Sequence, residues 1–344
     1  MVIKMQTKKT NKLYENLKKY IKLYTFDVIF IAFLIFIAFY EAPYVVYQPG
    51  GSINLSERIE IENAYKNEGS YSMNYVSVAK GKLPIILASY LIDDWDLVKQ
   101  EEITFEYTDY QTTFKIEQLD YKNSLDVATM TAYKKAGIPI ENITETGTVI
   151  YIDENAKTDM KLLDEIVSID GKTFKSVNDA QEYIQSIEIG KEIKIKVINQ
   201  GKEYGRTATP YEFEGRKIVG VSLISDYDYE VNPKINIKTK ASEAGSSGGL
   251  MLTLAIYDEL MEKDYTHGKK VMGTGTMDIN GKVGAIGGVK YKMLGAQKTG
   301  AEIFFIPEEN YKEAKEVYKK HNLKFELVCV KTFDEAISYL EKLS

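Results

Sequence analysis

Twelve consecutive apolar residues, Val28 to Phe39, interrupt a chain whose other segments alternate apolar and polar positions on short periods. At the rise of an α-helix this run alone reaches about 18 Å, against roughly 30 Å of bilayer hydrocarbon. A membrane span must therefore recruit its flanks, Leu23 to Phe26 on one side and Ala42 to Tyr47 on the other. Tyr20, Tyr24, Tyr40, Tyr44 and Tyr47 suit the headgroup region, which favours a ring bearing a hydroxyl. Seven lysines precede the run: Lys4, Lys8, Lys9, Lys12, Lys18, Lys19 and Lys22. That bias holds the N-terminus in the cytoplasm and sends the chain beyond the run outside. Two other readings stay open. A cleaved signal peptide wants small residues where Ile37-Ala38-Phe39-Tyr40 is bulky. A buried core helix suits the short run but not its lysine-rich approach.

Past the run, Pro43 and Pro49-Gly50-Gly51 predict a helix stop and a turn. Residues 53–62 and 70–79 pattern as strands, followed by a helical stretch from Leu83 to Tyr90. A second helix is expected from Asn123 to Ala136, with Leu125, Ala128, Met130 and Tyr133 placed for packing and Gly137 as its stop. Between 147 and 205 the alternation tightens. Strands are expected from Thr148 to Ile152 and from Leu163 to Ile169, a turn at Asp170-Gly171, a helix from Val177 to Ser186, and strands from Glu192 to Asn199 and Lys202 to Tyr204 around Gln200-Gly201. This order builds a small half-barrel.

Composition narrows the function. With 344 residues, 44% hydrophobic, 27% charged and a net charge of -6, most of the chain belongs with folded, mildly acidic domains, two or three in number. Past position 50 the basic residues are interleaved with carboxylates, which argues against a nucleic-acid surface. Cys329 is the only cysteine, so no intramolecular disulfide forms, and its apolar neighbours mark it as a core thiol. His267 and His321, the only histidines, fall in polar surroundings. That pattern calls for neither a metal nor a cofactor, and any acyl-transfer chemistry needs a base other than histidine.

Such chemistry has a candidate. In residues 244–260, AGSSGGLMLTLAIYDEL, a glycine-rich turn passes at once into a helix, with Ser247 at its start. Free N–H groups there suit an oxyanion, and Gly245, Gly248 and Gly249 clear the approach path. The competing reading is that Ser246 or Ser247 only caps the helix. Residues 271–299 read as strand, Asn280-Gly281 turn, short strand, Gly287-Gly288 hinge and a helix beginning near Lys290. A lysine in the first helical turn faces the positive end of the dipole and loses hydration in an apolar cleft, which favours its neutral, basic form. Lys290 is the expected base, and Lys292, two residues on, is expected to point away to the surface.

Two resemblances add to this reading. The phrase Leu163-Asp164-Glu165-Ile166-Val167-Ser168-Ile169-Asp170-Gly171 is similar to PDZ domains of bacterial proteases. It implies an extended peptide bound beside an edge strand, with Thr146, Gly147 and Thr148 where a carboxylate-binding loop would stand. Gly245-Ser246-Ser247-Gly248-Gly249 and Gly287-Gly288-Val289-Lys290 resemble the proteolytic domain of Lon-type peptidases, whose nucleophile sits in Gly-Pro-Ser-Ala-Gly. The 43 positions from Ser247 to Lys290 equal the family's separation, and Thr274 resembles the threonine that positions the lysine. Ser246 and Gly248 depart from the family's proline and alanine.

The whole order resembles membrane-anchored Lon-like proteases of Gram-positive bacteria, the YlbL and SepM type. It implies an α+β architecture: basic tail 1–22, transmembrane anchor 23–47, small extracytoplasmic α/β region 48–140, PDZ-like half-barrel 141–206 and Lon-type proteolytic α/β domain 207–344. No Gly-x-x-x-x-Gly-Lys-Ser/Thr loop occurs, so the expected activity is an ATP-independent serine endopeptidase acting on extracytoplasmic peptides or loose chains. The alternative is a non-catalytic peptide-binding scaffold on the membrane. Expected partners are a peptide or protein substrate and the lipid bilayer, with oligomerisation left open.

Overall fold

The computed structural model describes residues 2–62, 64–65, 68–104, 108–261 and 263–343. The side chains of residues 2–13 and 16, and so those of Lys4, Lys8, Lys9 and Lys12, lie outside that description. In chain order the first elements are α1 (Val2–Phe39), β1 (Glu41–Asn54), β2 (Ile59–Ile61), β3 (Ser70–Lys82), α2 (Leu83–Ser89), β4 (Asp96–Lys99) and α3 (Tyr110–Lys135). Next come β5 (Ile140–Ile152), β6 (Lys157–Thr158), β7 (Glu165–Ile169), α4 (Val177–Ser186), β8 (Ile193–Asn199), β9 (Lys202–Thr209), β10 (Tyr211–Phe213), β11 (Arg216–Ile218) and β12 (Val221–Val231). The last are β13 (Ile235–Ile237), α5 (Gly249–Leu260), β14 (Lys270–Gly273), β15 (Thr276–Met277), β16 (Val283–Gly284), α6 (Val289–Thr299), β17 (Ile303–Pro307), α7 (Tyr311–Lys320), β18 (Glu326–Val330) and α8 (Phe333–Leu340). They fall into two compact units, residues 1–48 with 77–103 and residues 49–76 with 104–344.

In the smaller unit α1 is long and apolar enough to cross a membrane over Leu17–Phe39, 23 residues, or about 35 Å. The length comes from the N-terminal side. The helix ends at Phe39, and the expected C-terminal flank is strand instead: Tyr44 to Tyr47 pair antiparallel with Lys99 to Asp96. Pro43 cannot donate the hydrogen bond a continuing helix needs.

In the larger unit β3, β14, β17 and β18 run parallel, and all five residues of β17 are buried, as in a sheet covered on both faces. Its side chains alternate between two cores. Ile303 and Phe305 join Leu250, Met251 and Tyr133 of α5 and α3, while Phe304 and Ile306 join Met293 and Ala314 of α6 and α7. The segment Pro49-Gly50-Gly51, expected as a turn, lies inside β1. A Cβ on Gly50 would stand 2.0 Å from the Tyr75 carbonyl oxygen, and one on Gly295 of α6 would stand 3.1 Å from the Gly50 carbonyl carbon. The glycines therefore serve close packing of backbone on backbone.

The half-barrel has the antiparallel order β12-β5-β7-β8-β9-β6. Ile193, Ile195 and Val197 of β8 point into its core while Lys194 and Lys196 face water, and Ser176 caps α4 by accepting the Asp179 N–H at 3.0 Å. Because β12 pairs with β5 from Val221 to Val231, the expected border at 206/207 falls within this region's own sheet. Thr146, Gly147 and Thr148 form no loop, since they sit mid-strand opposite Asp226, Ser225 and Ile224. The helix expected from Asn123 begins earlier, at Tyr110, where Asp109 accepts the Thr112 N–H at 2.7 Å.

Candidate active site

Ser247 lies in the turn immediately before α5, and the turn is held from both sides. From the sheet, its carbonyl accepts the Gly275 N–H at 2.8 Å and the Thr274 Oγ1–H at 3.0 Å, and Leu250 N–H donates to the Gly275 carbonyl at 3.0 Å. From α3, the Glu117 carbonyl accepts the Gly245 N–H at 2.8 Å and the Asp120 carboxylate accepts the Ser246 N–H at 3.0 Å. Gly245 has φ +82, a left-handed conformation that favours glycine. A Cβ on Gly248 would stand 2.7 Å from Met73 Sδ, and one on Gly249 2.9 Å from the Met277 nitrogen. These two glycines let the turn lie directly on β3 and β15. The Gly249 N–H donates to Ser246 O at 3.0 Å. Among the described residues the amides of Ser247 and Gly248 have no backbone acceptor.

Of the two lysines of α6, Lys292 is the one that lies deepest. Lys292 is 4% exposed, and its Nζ donates to Thr274 Oγ1 at 3.3 Å. Lys290 is only half-buried, with its Nζ over the Tyr291 ring at 4.8 Å from the centroid. Two residues of α-helix turn a side chain through about 200°, so only one of the pair can face the sheet. Val289, Met293 and Ala296 are all buried, and Lys292 shares their face. The expectation of Lys292 as a surface lysine is thus overturned. Gly288 opens the helix at φ +72, where a Cβ would clash with Val76 Cγ2 at 2.6 Å, whereas Gly287 faces open space.

Burial lowers the Lys292 pKa to about 8, with the Glu117 carboxylate acting in the opposite direction. Glu117 is itself raised, first by burial and then by Asp120, with Lys292 pulling it down. Its Oε2 comes within 3.0 Å of where a Gly245 Cβ would stand. The arrangement offers a hydroxyl on a rigid turn, a buried amine poised to be neutral near pH 8, and a threonine hydroxyl between the amine and the turn's backbone. Thr274 is fully buried. Glu117 and Asp120 escape notice in the sequence because they belong to a helix remote from the serine; no local signal ties them to it.

Comparison with known proteins finds relatives for part of the chain. Residues 234–341 match the family described as Lon protease (S16) C-terminal proteolytic domain. The chain is 30% identical over 144 residues to the Lon protease of Mesomycoplasma hyopneumoniae, covering 41% of this chain and 16% of that protein. It is 34% identical over 95 residues to that of Lachnoclostridium phytofermentans, covering 28% and 12%. It thus spans a small fraction of these relatives' length. The PDZ domain of the SdrC-like protein from Listeria monocytogenes covers 23% of this chain and 86% of its own, at 23% identity and a TM-score of 0.21. The protein combines one apolar N-terminal helix, a mixed α/β region, an antiparallel half-barrel and a C-terminal α/β domain similar to the proteolytic domain of Lon proteases.

Proposed function

We propose that this chain is a membrane-anchored, ATP-independent serine endopeptidase of the Lon-like kind, with Ser247 as nucleophile and Lys292, in place of the expected Lys290, as general base. The observation that carries this reading is the chain of contacts from Lys292 Nζ to Thr274 Oγ1 and on to the Ser247 carbonyl. Neutral Lys292 takes the Ser247 hydroxyl proton as Ser247 Oγ attacks the peptide carbonyl carbon. The amides of Ser247 and Gly248 receive the oxyanion, the lysine returns the proton to the leaving amine, and water releases the acyl group. Thr274 orients the amine. Gly245 and Gly248 shape the turn, and Gly288 sets the start of α6.

The lysines ahead of the apolar run support a cytoplasmic N-terminus and an extracytoplasmic catalytic domain. Without a nucleotide-driven motor in this sequence, peptides and loosely folded chains are the substrates. A second reading, a non-catalytic peptide-binding scaffold, draws on the half-barrel sheet, an antiparallel frame of the kind that takes up an extended peptide. The two readings separate when the full chain in detergent is incubated with an unstructured peptide mixture and products are followed by mass spectrometry. Folded Ser247→Ala should yield no products and folded Lys292→Met at most a small fraction of the parent's, while Ser246→Ala and Lys290→Met cleave. No cleavage by the parent supports the scaffold, and cleavage by folded Lys292→Met at the parent's rate removes the lysine from the mechanism.

A further inference from the structure

We infer that the segment from Leu83 to Ile92 is a second membrane-contacting element, lying among lipid headgroups and upper acyl chains at the C-terminal end of α1. Its sequence, LPIILASYLI, is nearly all apolar. Leu87 is 64% exposed, Tyr90 75%, Leu91 85% and Ile92 40%, four large side chains within six positions. A patch this dense marks an interaction surface, in contrast to the single exposed apolar residues that any protein carries. The helix within the segment has little else to hold it. It is seven residues long, buries none of them and has no side-chain cap, and an isolated helix of that length is unstable in water.

The neighbourhood identifies the occupant. Within the smaller unit α2 packs against α1, the helix long and apolar enough to cross a membrane. A Cβ on Gly81 would stand 2.6 Å from the Tyr44 carbonyl oxygen and 3.0 Å from that of Ala42. The chain therefore enters α2 beside the place where it leaves α1, and the two apolar surfaces are continuous. Tyr40 and Tyr90, 44% and 75% exposed, offer rings with hydroxyls at the level where interfaces favour them. Asp93 and Asp94 then return the chain to water. A surface of this kind, continuous with a lipid-facing helix, fits the bilayer interface better than the rim of a protein complex.

The proposal rests on α1 as a membrane anchor, and the experiment separates the two. Trp95 is the only tryptophan, so Trp95→Phe gives a silent background for the full chain in phosphatidylcholine vesicles. A probe Phe33→Trp sits within α1 and a probe Leu91→Trp within the patch. Emission is compared between plain vesicles and vesicles brominated near the headgroup or near the chain ends. Both probes should lose emission, Leu91→Trp most with shallow bromine and Phe33→Trp most with deep bromine. Quenching of Phe33→Trp without quenching of Leu91→Trp overturns the interface proposal and leaves the anchor standing. No quenching at either position removes the anchor and the proposal with it. A blue-shifted Leu91→Trp emission that bromine leaves unchanged assigns the patch to a protein surface, a second copy included. Native Trp95 in the unsubstituted chain supplies an independent reading, since its backbone N–H bonds the Ile92 carbonyl at 3.0 Å, which ties it to the end of the segment, and it should show weaker, shallow quenching.

Discussion

Two buried charges in the larger unit have opposite fates. Asp164 of the half-barrel is fully buried yet accepts from Arg206 Nε at 2.8 Å and Nη2 at 3.2 Å, Asn199 Nδ2 at 2.7 Å and the Lys161 N–H at 2.8 Å. Burial works to raise its pKa, but the donors together outweigh it and hold the carboxyl below its ordinary range. Lys292 is buried almost as deeply but rests on one threonine hydroxyl, and its pKa falls to about 8. A buried group given a full set of partners stays charged and holds a fold together; one given a single neutral partner is free to exchange its proton. The same physics marks one as structural and the other as a candidate for catalysis.

The largest expected effects fall on Lys292. Lys292→Met should lower peptide cleavage by about 10²–10⁴-fold, the contribution of a general base. It should also stabilise the fold at neutral pH. The folded pKa, about 8, lies below the unfolded value, so between about 8 and the unfolded value the unfolded chain binds more protons. Stability from this residue rises with pH across that window, and below it the cost is complete, on the order of 3 kcal/mol. Thermal unfolding at neutral pH should therefore show a higher Tm for Lys292→Met. A lower Tm would mean the ammonium has a partner that stabilises it.

Arg206→Met should act in the opposite direction. It strands the Asp164 carboxylate and costs about 3–5 kcal/mol, with peptide cleavage by the molecules that remain folded unchanged. Denaturant unfolding of the single variant and of its combination with Asp164→Asn checks this, because the combination should recover part of the loss. A smaller effect belongs to Glu117→Gln. Glu117 holds the Lys292 pKa up, so its neutralisation should move the midpoint of the activity profile to lower pH without abolishing cleavage. A shift upward would place the carboxylate's influence elsewhere.

Much of this is legible in the sequence, for reasons that also explain what is not. The apolar run, the helix Val177–Ser186 and the alternation of Ile193, Ile195 and Val197 are local patterns, and local periods report helix and strand directly. The glycine-rich turn before α5 is visible because a helix start has its own composition. The choice between Lys290 and Lys292 is hidden, because a separation counted along the chain does not say which face of α6 meets the sheet. Met293 and Ala296, read on the helical period with Lys292, carry that signal. Pairing of β12 with β5 and the support of Ser246 by Asp120 join segments far apart in sequence, and no local period reports such contacts.

The most direct test of Lys292 as the base is the pH dependence of kcat/KM for an unstructured peptide, measured on the full chain in detergent beside Lys290→Met. A base that works when neutral gives a limb that rises with pH. Its midpoint should lie at about 8, the value burial imposes on Lys292, and should be the same in Lys290→Met. A profile without that limb, or a midpoint that moves when Lys290 is replaced, would contradict the assignment.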